Sequence, residues 1–471
     1  MSLPDARHLL LAASALLLAG LAASAGTGRA GDPADSTPAT PASTPELAAT
    51  PAPAVAAPSS SAAPDATPAG AAVEAGTAVP PAQPPAPAEP DAAPAVPAPV
   101  EAVQASAGTP LPPLGLAHLD LARGRWVAPI GDAEAVLTLD PTLQARLERQ
   151  LSSWNMPWGV VVMLEPASGR VLALAEHSRA QPGRRDLALT PLSPAASIFK
   201  LVTAAALLEA GIDPEATVCY HGGRHRLQPG LLEDDPRRDR RCASLNTAFG
   251  RSTNAVFAKL ADRGLDAEAL RAAAERFLFN GAIPFERPVE PSPALIGDEP
   301  FEVAQAAAGF GQVRMSALHG ALLAALVANR GMLVPPRLVD DLAGGVLPPG
   351  PAPWRVVDEG VAARLAEMMQ ATVTQGTAHR ALGSHVPRVL RGVAIAGKTG
   401  SLAERDPYRD HSWFVGYAGT PAPEVALAVD VVNDRLWRVR ATQLAREALE
   451  IYYGTRVSEA GSAGPTRMAA R

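Results

Sequence analysis

The chain has 471 residues and a formal net charge of −6. The negative charge is concentrated in residues 26–113, where Arg29 is the only basic residue among eight acidic ones, so the rest of the chain is close to neutral. A near-neutral folded part lacks the basic surface of a nucleic-acid-binding protein, and we expect no nucleic acid as partner.

The N-terminus has the layout of an export signal. An apolar run over residues 9–23 is followed by a small-residue pattern, Ala-Ser-Ala, at residues 23–25. The run is shorter than the ~20 apolar residues of a spanning helix, though not by much. We expect residues 1–25 to be either a cleaved signal peptide or a retained N-terminal membrane anchor formed by residues 9–25. In both cases the protein is exported to the periplasm or cell envelope.

Residues 26–113 consist almost entirely of Ala, Pro, Ser, Thr and Gly. Such a segment cannot bury enough apolar surface to offset the entropy of ordering, so we predict a disordered linker. Its proline content favours an extended tether, which at ~3.1 Å per residue would span up to about 270 Å.

Folded structure is predicted for residues 114–455. A short strand at 135–139 is followed by Asp140 and Pro141, a helix cap and a first helical residue. Leucines at four-residue spacing continue that helix. Residues 159–165 and 170–174 are predicted as antiparallel strands joined by a turn.

The next predicted helix begins at Ser197 and ends before Gly211. Helices continue to about residue 329, and strands return at 393–396, 412–418 and 425–432 before a last helix and a flexible tail over 456–471. Strands at both ends with helices between them indicate an α+β fold. It would combine an antiparallel sheet flanked by helices with an all-helical subdomain.

The sequence contains two cysteines, Cys219 and Cys242. In an exported chain such a pair favours a disulfide. Two alternatives stay open at this point, which are free thiols and a zinc site that also uses His221 and His225. No other metal or cofactor site is indicated.

Three short motifs carry the chemistry, and they are Ser197-Ile-Phe-Lys200, Ser252-Thr-Asn254 and Lys398-Thr-Gly-Ser401. Each motif alone is weak evidence for an active site, because Ser197 could be a helix cap and Lys398 could lie in a surface turn. The occurrence of all three motifs in this order is the evidence that they form one site.

On a helix, positions i and i+3 share a face, so Lys200 can reach the hydroxyl of Ser197. Burial and a nearby cation would lower the pKa of Lys200 toward that of a base. Ser252 can relay a proton to a leaving amine. The side chain of Lys398 can hold a carboxylate, and glycines beside it let a substrate backbone approach.

These motifs resemble those of the penicillin-binding protein transpeptidase domain. Further stretches are similar to the same family, at 139–144, 163–173, 309–312, 328–331, 376–378 and 413–416. The resemblance implies a five-stranded antiparallel sheet beside a helical part. It assigns acyl-enzyme chemistry to Ser197 and proton transfer to Lys200 and Ser252. It places substrate binding on Asn254, Lys398, Thr399, Gly400 and Ser401.

The resemblance also implies D-Ala-D-Ala stem peptides of peptidoglycan as substrate, β-lactams as covalent inhibitors, and no cofactor. Ser401 stands where the family often has threonine, which keeps the hydroxyl. The Ala/Pro-rich segment occupies the place of the glycosyltransferase domain of bifunctional members, so no glycan polymerisation is expected. The leading interpretation is a D,D-transpeptidase. Alternatives are a D,D-carboxypeptidase, a serine β-lactamase, a β-lactam sensor and a catalytically silent wall-binding module.

Overall fold

The computed structural model describes residues 117–120, 122–223 and 226–462, with side chains of the last helix described as far as Arg456. The predicted signal peptide or anchor and the predicted linker lie outside these residues, as does His225. Within the described ranges, no helix combines the length and apolar character needed to cross a membrane.

The elements are as follows. The strands are β1 (His118–Asp120), β2 (Arg125–Ile130), β3 (Ala133–Leu137), β4 (Trp158–Leu164), β5 (Val171–Ser178), β6 (Ser193–Pro194), β7 (Thr217–Tyr220), β8 (Arg241–Ser244), β9 (Ala294–Leu295), β10 (Gln312–Met315), β11 (Met332–Leu333), β12 (Val339–Ala343), β13 (Trp354–Arg355), β14 (Ala394–Arg405), β15 (Tyr408–Gly419) and β16 (Val425–Asn433). The α-helices are α1 (Pro141–Trp154), α2 (Lys200–Glu209), α3 (Leu245–Arg251), α4 (Asn254–Gly264), α5 (Ala267–Arg276), α6 (Pro300–Ala307), α7 (Ala317–Ala328), α8 (Glu359–Thr374) and α9 (Ala441–Ser462).

A five-stranded antiparallel sheet in the order β14-β15-β16-β4-β5 forms the centre of the fold. All nine residues of β16 are buried, because helices cover both faces of the sheet. Helix α7 packs on one face, while α1 and α9 pack on the other. The predicted antiparallel sheet of sequence-distant strands is therefore confirmed, and β14 is an edge strand that pairs within it only with β15.

The helical part contains α2 to α6 and α8, and its core is continuous with the α7 face of the sheet. Helix α7 is buried along eleven of its residues and links the two parts. A separate four-stranded sheet, β1-β2-β3-β12, combines the first three strands of the described chain with β12. The predicted cap of α1 is present, since Asp140 Oδ1 accepts a hydrogen bond from the Leu143 amide at 2.8 Å.

Two predicted boundaries need correction. The strand predicted to end at residue 396 continues to Arg405, so the Lys398 motif lies inside β14 rather than after a strand. The flexible tail predicted from residue 456 begins as helix, since α9 continues as far as Ser462.

Cys219 and Cys242 form a disulfide across the β7–β8 hairpin, where they are directly opposed. Neither sulfur is therefore a free thiol or a zinc ligand. His221 contacts the Asp239 carboxylate through Nδ1 at 2.5 Å, and Asp239 also accepts a hydrogen bond from buried Lys259 at 2.7 Å. These contacts hold the segment that follows β7 against α4.

Candidate active site

Ser197 lies in a 3-10 turn, Ala196–Ile198, immediately before α2. The α-helix proper begins at Lys200, three residues later than predicted. Ala196 adopts a left-handed conformation with φ of 48°, which directs the chain sharply into the turn. The turn leaves Ser197 half-buried while Ile198 and Lys200 are fully enclosed.

Lys200 is fully buried, and three oxygens surround its ammonium nitrogen. Nζ lies 2.8 Å from Ser197 Oγ, 2.7 Å from Asn254 Oδ1 and 2.5 Å from the Ala308 carbonyl. Burial, and then the charge of Lys398, hold the pKa of Lys200 well below its ordinary value. The nitrogen also lies 5.3 Å from the centre of the Phe257 ring.

These contacts fit a neutral amine. A neutral amine has two N–H donors and one lone pair, and two of the three neighbouring oxygens are carbonyls that can only accept. With both N–H groups directed at Asn254 and Ala308, the lone pair faces the hydroxyl of Ser197. Lys200 is thus placed to receive the hydroxyl proton of Ser197 as a general base.

Ser252 occupies the junction between α3 and α4. It ends α3 in a left-handed conformation, with φ of 55°, and Thr253 then caps α4 so that Asn254 is its first residue. This sharp junction turns the Ser252 hydroxyl toward the sheet, where Lys398 Nζ lies 3.0 Å from Ser252 Oγ.

Lys398 is the second fully buried lysine of the site. Its ammonium lies 2.9 Å from the Thr399 carbonyl and 5.4 Å from the centre of the Phe249 ring. Burial lowers the pKa of Lys398 to about 7. A carboxylate brought next to it would favour the charged form, because an opposite charge within a few ångströms stabilises an ammonium.

The rest of the Lys398 motif lies beside the Ser197 turn. We call the space between this motif, the Ser197 turn and Ser252 the cleft. A Cβ atom at Gly400 would lie 3.2 Å from Ile198 and 3.3 Å from the Ala195 carbonyl, so this glycine allows β14 to approach the Ser197 turn. Thr399 Oγ1 lies 2.5 Å from Thr377 Oγ1, and Ser401 is exposed.

The structure thus brings together the residues that sequence analysis singled out, from three distant segments. The sequence prediction assigned no role to Thr377, although it noted the stretch 376–378, and it did not include the rings of Phe249 and Phe257 or the carbonyl of Ala308. It also assigned no role to Gly309, whose φ is +88° and whose added Cβ would lie 2.3 Å from the Ala196 carbonyl. Only the Gly-Phe-Gly pattern at 309–311 offered a signal for that close approach.

Comparison with known proteins gives a consistent result. The family model for the penicillin binding protein transpeptidase domain matches residues 159–450. Peptidoglycan D,D-transpeptidase PbpA of Mycobacterium tuberculosis (strain CDC 1551 / Oshkosh) is 31% identical over 346 residues, which cover 63% of this chain and 68% of that protein.

Solved structures are similar in fold. The imipenem acyl-enzyme complex of penicillin-binding protein A from M. tuberculosis is 27% identical with a TM-score of 0.54, over 68% of this chain and 79% of that one. Pseudomonas aeruginosa PBP2 in complex with WCK 5153 is 25% identical with a TM-score of 0.56, over 69% and 79%. On this evidence the chain belongs to the penicillin-binding protein transpeptidase family.

Proposed function

We propose that the protein is a peptidoglycan D,D-transpeptidase that forms an acyl-enzyme on Ser197 and is inhibited by β-lactams. The observation that carries this proposal is the contact between Ser197 Oγ and a fully buried lysine whose other two partners are carbonyl oxygens. The curated name of the M. tuberculosis relative and the acyl-enzyme structure of penicillin-binding protein A support the same reaction.

In the acylation step, Lys200 takes the hydroxyl proton of Ser197 while Oγ attacks the carbonyl carbon of the penultimate D-Ala. The peptide bond to the terminal D-Ala breaks. Ser252, held by Lys398, relays to the leaving amine the proton that Lys200 took up, so that Ser252 remains a hydroxyl and Lys200 returns to the neutral amine. The main-chain N–H groups of Ser197 and Ser401 are our candidates for stabilising the oxyanion.

The substrate would be held by the groups that line the cleft. The C-terminal carboxylate of the stem peptide is placed beside Lys398, Thr399 and Ser401. Its backbone extends along the edge strand β14, and the Asn254 amide contacts a peptide group. An amine of a second stem peptide then attacks the ester carbonyl, which releases Ser197 and forms the cross-link.

A D,D-carboxypeptidase would use water in place of that amine, and a β-lactamase would need a base to activate water. The partners of Lys200 in the described structure are a hydroxyl, an amide and a main-chain carbonyl, without a carboxylate. Asp234, one of the acids near the second motif, is instead bound by Lys259 and Arg263. A carboxylate that could serve as the deacylation base of a β-lactamase is therefore not found among these described groups.

The test is covalent labelling with a fluorescent penicillin on a denaturing gel. Ser197→Ala should abolish the label without changing the thermal unfolding midpoint, whereas Ser153→Ala on the exposed side of α1 should label fully. Undiminished labelling of Ser197→Ala would refute the assignment of the nucleophile.

The reaction type needs a second assay. Incubation with a pentapeptide stem and a D-amino acid acceptor should give the exchanged pentapeptide in excess of the tetrapeptide. A product that is tetrapeptide alone would favour the carboxypeptidase. Because the substrate is a wall polymer, we propose a cell-envelope location reached through the export signal in residues 1–25.

A further inference from the structure

A chain of buried polar side chains lies beneath the segment that leads to Ser197. Ser193, four residues before Ser197, places its Oγ 2.6 Å from Asp430 Oδ2 and 2.9 Å from His411 Nδ1. The other ring nitrogen of His411 lies 2.8 Å from Glu404, which is bound in turn by Arg314 at 2.9 Å. Ser193, His411 and Asp430 are all buried. We refer to these three residues as the Ser193 chain.

The Ser193 chain lies on the face of the sheet that carries the cleft. Gly400, Trp413 and Asp430 are paired neighbours on β14, β15 and β16. Trp413 Nε1 donates to the Pro194 carbonyl at 2.9 Å, and the Ala195 amide donates to Val313 at 2.9 Å. The sheet side chains and β10 therefore fix three consecutive residues, 193–195, just before the Ser197 turn.

Each contact from Asp430 Oδ2 through Ser193 and His411 to Glu404 has one donor and one acceptor only when the Ser193 chain holds one extra proton. If Asp430 carries that proton, it donates to Ser193, which donates to neutral His411. If His411 carries it, the imidazolium donates to Ser193, which donates to ionised Asp430. In both arrangements His411 Nε2–H donates to Glu404. Without that proton, two tautomers of neutral His411 are available. If Nε2 carries the hydrogen, the single hydroxyl proton of Ser193 faces two acceptors, Asp430 and His411 Nδ1. If Nδ1 carries it, the lone pair of Nε2 faces the carboxylate of Glu404.

We propose that Ser193, His411 and Asp430 act as positioning residues for Ser197, and that loss of their shared proton sets the alkaline limit of acylation. This inference rests on the proposed acyl-transfer function and concerns how the nucleophile is held. Deprotonation removes one contact that fixes the residues before the Ser197 turn, and a small displacement of a nucleophile is enough to slow its attack.

The electrostatic surroundings agree with a proton retained near neutrality. Burial raises the pKa of Asp430 to about 7, and burial lowers the pKa of His411. The charged groups that act on the Ser193 chain are Glu404 on β14, Arg409 on β15 and Arg314 on β10.

Other elements packed on the same face add little charge. On α7 the one titratable residue is His319, which binds the Phe277 carbonyl. Strand β4 has no titratable side chain, and beyond it Glu176 accepts a hydrogen bond from the Ala188 amide. Helix α9 packs on the opposite face of the sheet.

The test is the first-order acylation rate at saturating penicillin, measured from about pH 6 to about pH 9, because saturation separates acylation from binding at Lys398. Asp430→Asn preserves the neutral arrangement, since its amide donates to Ser193 and cannot lose the proton. We expect its rate to match the wild type near pH 6 and to exceed it at alkaline pH, by about tenfold for each pH unit above the point at which the wild-type chain loses its proton.

Three further variants complete the design. Asp430→Ala removes the hydrogen bond to Ser193 and should slow acylation at every pH. A normal acylation rate in Asp430→Asn would therefore show that the hydrogen bond positions Ser197, and that the effect is not one of packing alone. His411→Asn leaves Asp430 able to titrate, but an Asn amide can either accept from Ser193 or donate to it, so the contacts of Ser193 are satisfied in both charge states of Asp430 and the alkaline decline should also be lost. Glu176→Gln changes a half-buried carboxylate on the same sheet face and should leave the pH profile of acylation as in the wild type.

The inference is overturned if Asp430→Asn and His411→Asn, both folded by thermal unfolding, show the same alkaline decline as the wild type. An alkaline decline of the acylation rate in both variants would show that another titrating group causes it. Absence of covalent labelling in the wild type at every pH would instead refute the proposed function, so the two failures are distinguishable.

Discussion

Lys200 and Lys398 are both fully buried, yet their neighbours suit different charge states. Lys200 has two carbonyl acceptors and one hydroxyl, which leaves a lone pair of the neutral amine for Ser197. Lys398 contacts Ser252 and the Thr399 carbonyl, and its pKa of about 7 allows a bound carboxylate to select the ammonium. We propose that the two lysines divide proton abstraction and anion binding between them.

Replacing each lysine tests that division. Lys200→Ala should lower the second-order acylation rate by about 10²–10⁴, the usual range for loss of a general base. Lys398→Ala should chiefly weaken binding of β-lactams that carry a carboxylate. Stopped-flow or gel-based acylation rates measure both effects. A Lys200→Ala rate within about tenfold of the wild type would contradict the role as base.

Gly309 supports the nucleophile through the absence of a side chain. Gly309→Ala would place a Cβ 2.3 Å from the Ala196 carbonyl, so the Ser197 turn must shift. We expect acylation to fall by at least about tenfold, because misplacement of reacting groups is costly. Gly311→Ala is a matched control, since Gly311 also has a positive φ of +84° but nothing within 4 Å of an added Cβ. Equal losses in both variants would point to backbone strain instead of contact with the turn.

Among the elements, α1, α2 and α9 were predictable because their apolar residues recur at helical spacing, and β4 and β16 because they are continuous apolar runs. Helix α8 was not predicted, since the sequence analysis placed helices only as far as about residue 329 before the last one. The Lys398 motif was placed after a strand because Gly397 and Gly400 interrupt the apolar pattern, although β14 continues through them. Glycine carries no side chain that could reveal strand periodicity. The Ser193 chain was not predicted at all, because its members come from β6, β15 and β16 and meet only through sheet register.

The β7–β8 hairpin should depend on its disulfide. Replacing Cys219 and Cys242 with serine frees a loop of roughly two dozen residues, and we expect a loss of about 3 kcal/mol in the free energy of unfolding. Denaturant titration measures the loss, and the same protein kept under reducing conditions should reproduce it. Two alkylatable thiols in the unreduced wild type, found by mass spectrometry, would contradict the bridge.

At the scale of the whole molecule, the described contacts of the site come from residues between Ser193 and Asp430, and the predicted tether over residues 26–113 lies outside the described structure. Deleting about half of that predicted tether should leave the acylation rate of the purified protein unchanged. In cells it should reduce cross-linking if the anchor in residues 9–25 is retained, because the catalytic domain would search a thinner layer.

Fractionation shows first whether the full-length protein stays with membranes. Unchanged cross-linking by a membrane-bound deletion variant would show that the length of the tether does not limit which part of the wall the catalytic domain reaches. A slower acylation rate in the purified variant would show instead that residues 26–113 contribute to the catalytic domain.

The order of strands in the central sheet has a consequence for how the protein folds. β4 pairs with β16, roughly 260 residues further along the chain, and β16 joins β4 to the strand pair that carries Lys398. Such long-range pairing makes folding slow, because a large loop must close before its contacts form. A nascent chain that has not yet released β16 contains Ser197, Lys200, Ser252 and Lys398 but lacks the sheet that brings them together. The time at which a newly made chain first becomes acylated by penicillin therefore reports when the central sheet has formed.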